Sequence, residues 1–227
     1  MTKKRVTYAL DPLAEYYDKF RARQEQVRKE VQEEATTLNE LHKTHRVDWK
    51  LFKKHMQKSS VKKLYHFTDE ANLDSIIKRG GLFSWSQCDQ SGISIARPGG
   101  NELSRNLDRR SGLENYVRLS FTPDHPMMYV AMSDGRISRP AVLEIEPDLV
   151  YLKESRFTDR NATQNGVNAG QSFSDFAKIR FNILLRKEYM RCSSEDKPYF
   201  QAEVLVKEHV PLRSITNIQK FRPIGSA

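Results

Sequence analysis

The sequence predicts an α+β protein in which a helical N-terminal extension, residues 1–62, precedes one domain of short strands and helices, residues 63–227. Two observations carry this prediction. Apolar residues in the first 43 positions recur at alternating four- and three-residue steps, which is typical of an amphipathic helix. After residue 63 the apolar positions fall into short runs separated by turn residues, which is typical of strands and loops. A chain of 227 residues is long enough for one large domain, or for one domain and an extension.

The extension begins its helical pattern at Asp11 and Pro12, a capping carboxylate followed by proline at the first helical position. We predict one long helix over residues 12–43 and a second, basic helix over residues 47–57. The apolar seam of the long helix is narrow. It therefore packs either against the body of this protein or against another chain, and the sequence leaves both open.

Most of the net charge lies in this extension. Residues 1–63 contain sixteen Lys or Arg against nine Asp or Glu, which gives +7 of the total +9. Such a block favours a polyanionic partner, most often a nucleic acid, although a solvated helix face has the same composition. Trp49 and Phe52 are interleaved with the lysines, and this favours the nucleic-acid interpretation.

The domain opens with a strand, a helix and a glycine pair. Residues 64–68 alternate as a short strand, and Thr68 or Asp69 caps a helix over residues 70–79. Gly80 and Gly81 end that helix, because glycine readily adopts the left-handed backbone that helix ends often need.

Residues 84–115 are rich in Ser, Gly, Asn and Arg, with few apolar anchors, and we predict one long functional loop. Its guanidinium groups suit phosphate or base edges. They belong to Arg97, Arg105, Arg109 and Arg110.

The rest of the domain alternates between strand-like and helix-like runs. Strands are predicted over residues 116–122, 127–132 (or a helical turn after Pro126), 141–145, 150–152 and 215–221, and a helix over residues 173–185.

Residues 198–206 read as a strand with one wholly apolar face. The other face carries Glu203 in mid-strand, where an apolar or neutral side chain is usual. An ionised carboxylate taken partly out of water needs a partner or a purpose. Glu203 is therefore either an active-site acid or an edge-strand residue that faces water, and the stretch alone favours neither.

Several classes of protein and site are not indicated by the sequence. No apolar run approaches the roughly 20 residues of a membrane-spanning helix, and no signal-peptide apolar region follows the basic N-terminus. Cys88 and Cys192 stand alone, without metal-ligand spacing. We expect a cytoplasmic protein with no disulfide framework, no metal site and no membrane partner. Walker, GxGxxG and HExxH motifs are also absent.

Four segments carry polar residues in a specific order. They are residues 65–82, which open with Tyr65-His66-Phe67-Thr68; residues 106–129, which run from Asn106-Leu107-Asp108-Arg109-Arg110 to Tyr129; residues 157–162, which include Asn161; and residues 201–206, which include Glu203. Each is a weak signal alone. Together they resemble the DarT-type nucleic-acid ADP-ribosyltransferases over residues 63–221, with the first 60 residues outside the resemblance.

The resemblance implies a fold and an activity. The fold is the ADP-ribosyltransferase one, a pair of small β-sheets around an NAD cleft. The activity is that of a toxin that takes ADP-ribose from NAD, its co-substrate, and attaches it to a base. The family's members act in toxin–antitoxin or anti-phage systems, so the implied partners are single-stranded DNA, or alternatively RNA, and an antitoxin, with or without a chaperone, that engages the N-terminal helices.

The resemblance also implies roles for individual residues. Glu203 would lie beneath the ribose and stabilise the positive charge that develops when nicotinamide leaves. Arg109, and after it Arg110, would pair with the pyrophosphate or act on the acceptor base. The residues expected to bind NAD are His66, Thr68, Tyr65, Tyr129 and Asn161.

Two other functions stay open at this stage. One keeps the fold and changes the acceptor, as in a protein ADP-ribosyltransferase or an enzyme of the tRNA 2′-phosphotransferase type. The other is a basic nucleic-acid-binding protein without catalytic activity, in which Glu203 is structural.

Overall fold

The structure is a computed structural model that describes residues 19, 21–29, 32, 44–185 and 188–221. The chain divides into two compact units, Met1–His45 and Arg46–Ala227. In the first unit, residues 21–29 are helical. The predicted helix start at Asp11 and Pro12, and most of the remaining helix to residue 43, lie outside the described residues.

The second unit begins at Arg46, ahead of the predicted domain boundary at residue 63. The reason is the predicted basic helix, which is present as α1, Trp49–Lys58. Its Phe52 and Met56 are buried in the main hydrophobic core of the unit. Phe52 is 0% exposed, so it packs in the core and is not available for stacking on a base.

The strands form two antiparallel sheets. The main sheet has the order β4-β1-β3-β6-β5, and β2 pairs with β7 in a small second sheet. Their bounds are β1 Leu64–Asp69, β2 Gly81–Phe83, β3 Tyr116–Ser120, β4 Pro140–Ile145, β5 Arg156–Thr158, β6 Glu203–Lys207 and β7 His209–Pro211.

The helices after α1 are short. They are α2 Leu73–Arg79, α3 Trp85–Gln90, α4 Glu102–Ser111, α5 Pro126–Ser133, α6 Phe173–Phe176 and α7 Phe181–Leu184. Single 3₁₀ turns, which are common as connectors, occupy Glu70–Asn72, Pro147–Tyr151, Tyr189–Arg191, Lys197–Gln201, Leu212–Ser214 and Ile218–Phe221.

The opening unit of the domain is confirmed. Asp69 accepts a hydrogen bond from the Ala71 amide at 2.9 Å and so caps the turn that leads into α2. Gly80 ends α2 with a φ of +83°, in the left-handed region that glycine adopts without a Cβ penalty.

The long loop predicted over residues 84–115 is wrong, because the segment contains α3 and α4. Ser84 caps α3 by accepting from the Gln87 amide, and Asn101 caps α4 by accepting from the Ser104 amide. Gly112 ends α4 at a φ of +64°. Strong caps at both ends compensate for the scarcity of apolar residues, which had indicated a loop.

Residues 127–132 are helical within α5, which confirms the helical alternative predicted after Pro126. Three further predicted elements differ from the structure. Residues 150–152 belong mostly to a 3₁₀ turn, and residues 173–185 form two short helices instead of one. The closing strand over residues 215–221 is wrong. Ile215 forms only an isolated antiparallel bridge with Ile145. Beyond it the Asn217 side chain accepts from the Glu144 amide and donates to the Val142 carbonyl, so an amide side chain continues along the edge of β4 where a strand was predicted.

The main sheet has an apolar face and a polar face. Alternation and strand register place Leu64, Leu119 and Val204 on the face that packs into the main core. The opposite face carries Arg118 and Glu203. β1 and β3 share one residue pair, Tyr65 with Ser120, and then diverge. This divergence splits the main sheet and opens a cleft between β1 and β3.

Candidate active site

The cleft is a cavity of about 290 Å³ at the split between β1 and β3. Its walls come from β1, α2, α3, α4 and β3, and Glu203 lies in its lining. A small-molecule site commonly occupies such a concave space, in which a few polar groups converge.

Glu203 is held by the strands on both sides of it. It is the first residue of β6, where it pairs with Ser120 of β3 and Thr158 of β5. The predicted strand over residues 198–206 is therefore wrong in its first half, which is the 3₁₀ turn Lys197–Gln201. Proline at the second position of that turn removes an amide donor and favours a turn over a ladder. Glu203 thus enters the sheet at its end, beside the cleft.

The Glu203 carboxylate is 5% exposed and is bound through one oxygen. Oε2 accepts from Arg118 Nη1 at 2.7 Å and from the Ala162 amide at 2.9 Å. Within the part of the chain that the structure describes, Oε1 accepts no hydrogen bond. One oxygen is therefore fixed by protein donors, and the other is left for a ligand in the cleft.

Arg118 bridges two carboxylates. Its second terminal nitrogen, Nη2, donates a short hydrogen bond to Asp108 Oδ1, and Trp85 Nε1 donates to Asp108 Oδ2 at 3.3 Å. Burial lowers the pKa of Arg118, but the charges of Glu203 and Asp108 outweigh burial and raise it above the usual arginine value. Burial raises the pKa of Asp108, against the opposing charge of Arg118.

The β1 wall supplies His66 and Thr68. A carbonyl oxygen can only accept, so His66 Nδ1 donates to the Arg118 carbonyl at 3.0 Å. Burial lowers the pKa of His66, although that hydrogen bond opposes the shift. Thr68 Oγ1 accepts from Asn72 Nδ2 at 3.0 Å. Asn72 also binds the amide and the carbonyl of Arg97, which fixes the segment that covers this end of the cleft.

His125 offers a buried donor that is not bound by any residue that the structure describes. It is 4% exposed and stacks on Phe67 with ring centroids 5.8 Å apart. Its Nδ1 accepts from the Met127 amide at 3.3 Å, so the proton of the neutral ring lies on Nε2. Nε2 is buried and makes no hydrogen bond to any described residue. Burial, with the nearby charge of Arg118, lowers the pKa of His125 to about 4, so the ring is neutral at physiological pH.

The structure brings five of the eight predicted site residues into the cleft lining and leaves three outside it. Those in the lining are Tyr65, His66, Thr68, Asn161 and Glu203. Arg109 and Arg110 are exposed on α4, where the Arg109 guanidinium lies 4.7 Å from the centre of the Trp85 ring. Tyr129 is 53% exposed, and its hydroxyl donates to Asp124.

Sequence reasoning missed Arg118, Asp108 and His125. Arg118 carried a usable signal, since it is the charged residue in the otherwise uncharged strand Tyr116–Ser120. Asp108 directly precedes Arg109 and Arg110, the two arginines predicted for the site. A helix over residues 102–111 places Asp108 on a different face from Arg109 and Arg110.

Two further expectations concern absences. Among the residues that the structure describes, no group of His, Cys, Asp and Glu side chains is arranged to hold a metal ion. No helix in the same described ranges is both long and apolar enough to span a bilayer.

The family model and the relative that match this chain indicate the same family. The family model described as "ssDNA thymidine ADP-ribosyltransferase, DarT" matches residues 65–221. A DNA ADP-ribosyl transferase of Thermus aquaticus is 26% identical over 166 residues, which cover 68% of this chain and 73% of the relative.

Solved structures agree on the fold. DarT of Thermus sp. 2.9 in complex with ADP-ribosylated ssDNA superposes with a TM-score of 0.58 at 22% identity, over 69% of this chain and 79% of that one. DarTG of Thermosipho africanus in complex with ADP-ribose gives a TM-score of 0.57 at 21% identity, over 70% of this chain and 46% of that one. The predicted fold class, α+β with two sheets beside a cleft, is confirmed.

Proposed function

Because the chain belongs to the DarT family of ssDNA thymidine ADP-ribosyltransferases, we propose that it transfers ADP-ribose from NAD to a base of single-stranded DNA and that Glu203 carries the chemistry. The observation that supports this most strongly is Glu203 itself. It is a buried carboxylate, anchored through Oε2 in a rigid sheet, and its second oxygen is available to the cleft.

The reaction requires the features that surround Glu203. The bond between the ribose C1′ and the nicotinamide nitrogen breaks, nicotinamide leaves with the electron pair, and positive charge develops on the ribose. A fixed carboxylate in a site with little water stabilises that charge without reorganisation. The acceptor base then forms a bond to C1′ and loses a proton. Preorganised groups of this kind typically contribute a factor of about 10²–10³ in rate.

Residues of the cleft fit the nicotinamide–ribose half of NAD. His66 and Thr68, at the split of the sheet, offer polar contacts beside the reacting ribose. His125 offers a neutral Nε2 donor, which suits an uncharged acceptor such as a carboxamide oxygen better than a phosphate. We also assign Tyr65 and Asn161 to NAD binding, since both line the same cavity.

The acceptor must be unstacked before its base can reach the cleft, which favours single-stranded substrate. Arg109 and Arg110 lie on the exposed side of α4, whose inward side carries Asp108 into the cleft. We assign these two arginines to phosphates or bases of the bound strand. We assign Tyr129, which is also exposed, to stacking on a base of that strand.

Mass spectrometry of oligonucleotides after incubation with the protein and NAD tests the proposal. We expect one added ADP-ribose on a single-stranded DNA oligonucleotide, none on its duplex, and strongly reduced transfer by Glu203→Gln. Label from NAD on RNA would move the assignment to RNA, and label on protein would indicate a protein ADP-ribosyltransferase. Salt-sensitive binding of DNA without consumption of NAD would contradict the proposal and leave a binding protein.

We also propose that the enzyme is the toxin of a toxin–antitoxin or defence system. Its activity would modify bases in the cell's own DNA, so the cell would need an inhibitor of the enzyme. We assign the first unit, Met1–His45, as the docking site for an antitoxin, with or without a chaperone. Deletion of residues 1–45 spares Phe52 and Met56 of the core. It should preserve transfer and abolish neutralisation by the cognate antitoxin, and a truncated enzyme that is still neutralised would contradict this docking site.

A further inference from the structure

Arg118 creates an electrostatic problem for the proposed reaction. Its guanidinium lies 2.7 Å from the Glu203 oxygen that it binds. A carboxylate that stabilises a developing cation does so through its negative charge, and an adjacent positive charge opposes that effect. Both side chains are largely shielded from solvent, so the opposition is screened much less than it would be at a surface.

Asp108 supplies the missing negative charge. It binds the other terminal nitrogen of Arg118, its side chain is 7% exposed, and Trp85 fixes its second oxygen. Asp108, Arg118 and Glu203 therefore form one buried chain of two carboxylates around one guanidinium, with a net charge of −1. Without Asp108 the net charge of the remaining pair is zero.

We propose that Asp108 is a positioning residue that neutralises Arg118 and thereby keeps Glu203 electrostatically effective at the reacting ribose. This inference rests on the proposed function. In it Arg118 fixes the orientation of Glu203, Asp108 cancels the charge that Arg118 brings, and Glu203 Oε1 faces the substrate with close to its full charge.

The test is a set of kinetic measurements on variants that change charge with little change in shape. Asp108→Asn keeps an oxygen acceptor for Arg118 and changes the net charge of the cluster from −1 to zero. We expect kcat for transfer to fall about tenfold. KM for NAD should stay the same or fall, since the pyrophosphate of NAD is negative and the site has become more positive. A merely structural role of Asp108 would raise KM and lower the melting temperature instead.

A double variant tests the charge explanation directly. Asp108→Asn combined with Arg118→Gln restores a net charge of −1, carried by Glu203 alone. We expect the double variant to have a higher kcat than Asp108→Asn. If Asp108→Asn does not fold, Arg118→Gln decides in its place: its net charge of −2 should raise KM for NAD, and a KM equal to that of the wild type would overturn this inference.

Two controls separate the possible failures. Glu154→Gln removes the same charge from an exposed side chain that pairs with Lys207, away from the cleft lining, and it should leave kcat unchanged. Glu203→Gln in the same assay reports on the proposed function alone. An inactive Glu203→Gln together with wild-type kcat in Asp108→Asn, or a double variant no faster than Asp108→Asn, would overturn this inference and leave the proposed function standing. A fully active Glu203→Gln would overturn the proposed function itself.

Discussion

The sheet contains two buried carboxylates in contrasting surroundings. Asp69, at the end of β1, is 1% exposed and uses both oxygens. It accepts from the Ala71 amide at 2.9 Å, from the Ser138 amide and hydroxyl at 2.7 and 3.1 Å, and from the Arg139 amide at 3.1 Å. Glu203, at the start of β6, is 5% exposed and uses one oxygen.

The difference indicates how each carboxylate is used. Both oxygens of Asp69 are occupied by uncharged donors, which also fix the 138–139 turn and the start of α2. The hydrogen bonds of Asp69 therefore stabilise the fold. Glu203 lies in the lining of the cleft, with one oxygen bound and with a neighbouring arginine whose charge is itself compensated. A buried carboxylate with unused acceptor capacity beside a cavity is the arrangement expected of a functional group.

The largest expected effect comes from Glu203→Gln. The rate of transfer should fall by about 10²–10³, because the amide lacks the charge that stabilises the ribosyl cation. The melting temperature should change little, since the amide oxygen can still accept from Ala162. The measurement pairs a steady-state rate with a thermal melt. A variant that loses stability but keeps its rate would show that Glu203, like Asp69, has a structural role.

Asp69→Asn should show the opposite behaviour. The amide can satisfy fewer of the four donors, and one of its hydrogens points at them, so we expect a loss of about 2–3 kcal/mol in the free energy of unfolding. Transfer by the folded fraction should stay close to wild type. Urea unfolding measures the first quantity and active-site-normalised kinetics the second.

The pH dependence of Asp69→Asn follows from the pKa of the wild-type side chain. Burial raises the pKa of Asp69, but the hydrogen bonds from Ala71, Arg139 and Ser138 outweigh it and lower the pKa well below the ordinary value. A carboxylate with a lowered pKa stabilises the fold above its unfolded pKa, about 3.9, and loses that contribution as the pH falls further. The gap between wild type and variant should therefore narrow below about pH 4, and a gap independent of pH would contradict the assignment.

His125, a neutral buried group in the cleft, should also make the stability of the fold depend on pH. Its pKa in the fold is about 4, below the ordinary value of 6.5. The unfolded chain therefore binds more protons between these values, and the free energy of unfolding should decrease as the pH falls from 6.5 to 4, by on the order of 2–3 kcal/mol from this residue.

His125→Asn isolates this contribution. Asparagine is a favoured N-cap, so the bond to the Met127 amide can be kept while the titrating ring is lost. Urea unfolding at several pH values should show a shallower slope for the variant. Burial lowers the pKa of His66 in the same direction, so part of the slope should remain. An unchanged slope would mean that His125 titrates normally in the fold.

The smallest expected effect concerns the exposed arginines of α4. If Arg109 contacts a phosphate, Arg109→Ala should weaken DNA binding several-fold and reduce the salt slope of the binding constant by about 1. Hydrolysis of NAD without DNA should not change, because Arg109 is outside the cleft lining. Fluorescence anisotropy of a labelled oligonucleotide at several salt concentrations measures the slope, and an unchanged slope would exclude Arg109 from the binding surface.

The sequence predicted what is local. The unit from Leu64 to Gly81 was predictable because its alternation, its cap at Asp69 and its glycine stop all lie within a few residues of one another. Glu203 was identifiable because one charge interrupts an apolar run. The fold class followed from motif order and is confirmed.

What escaped prediction depends on contacts between distant parts of the chain. Asp108 and Glu203 meet at Arg118 only after β3 pairs with β6 and α4 packs beside them. The polar composition of residues 102–111 concealed a helix whose stability comes from its two ends. Arg118 faces the cleft because of the sheet register, which the sequence of one strand does not specify.

Single-turnover release of nicotinamide from NAD is the most direct measurement of the central claim. It reports the bond-breaking step before any later transfer or product release, and it can be made on wild type, Glu203→Gln and Asp69→Asn side by side. We expect Glu203→Gln to slow release by about 10²–10³ while folded Asp69→Asn stays near wild type. Equal rates for wild type and Glu203→Gln would contradict the assignment of Glu203 as the group that stabilises the ribosyl cation.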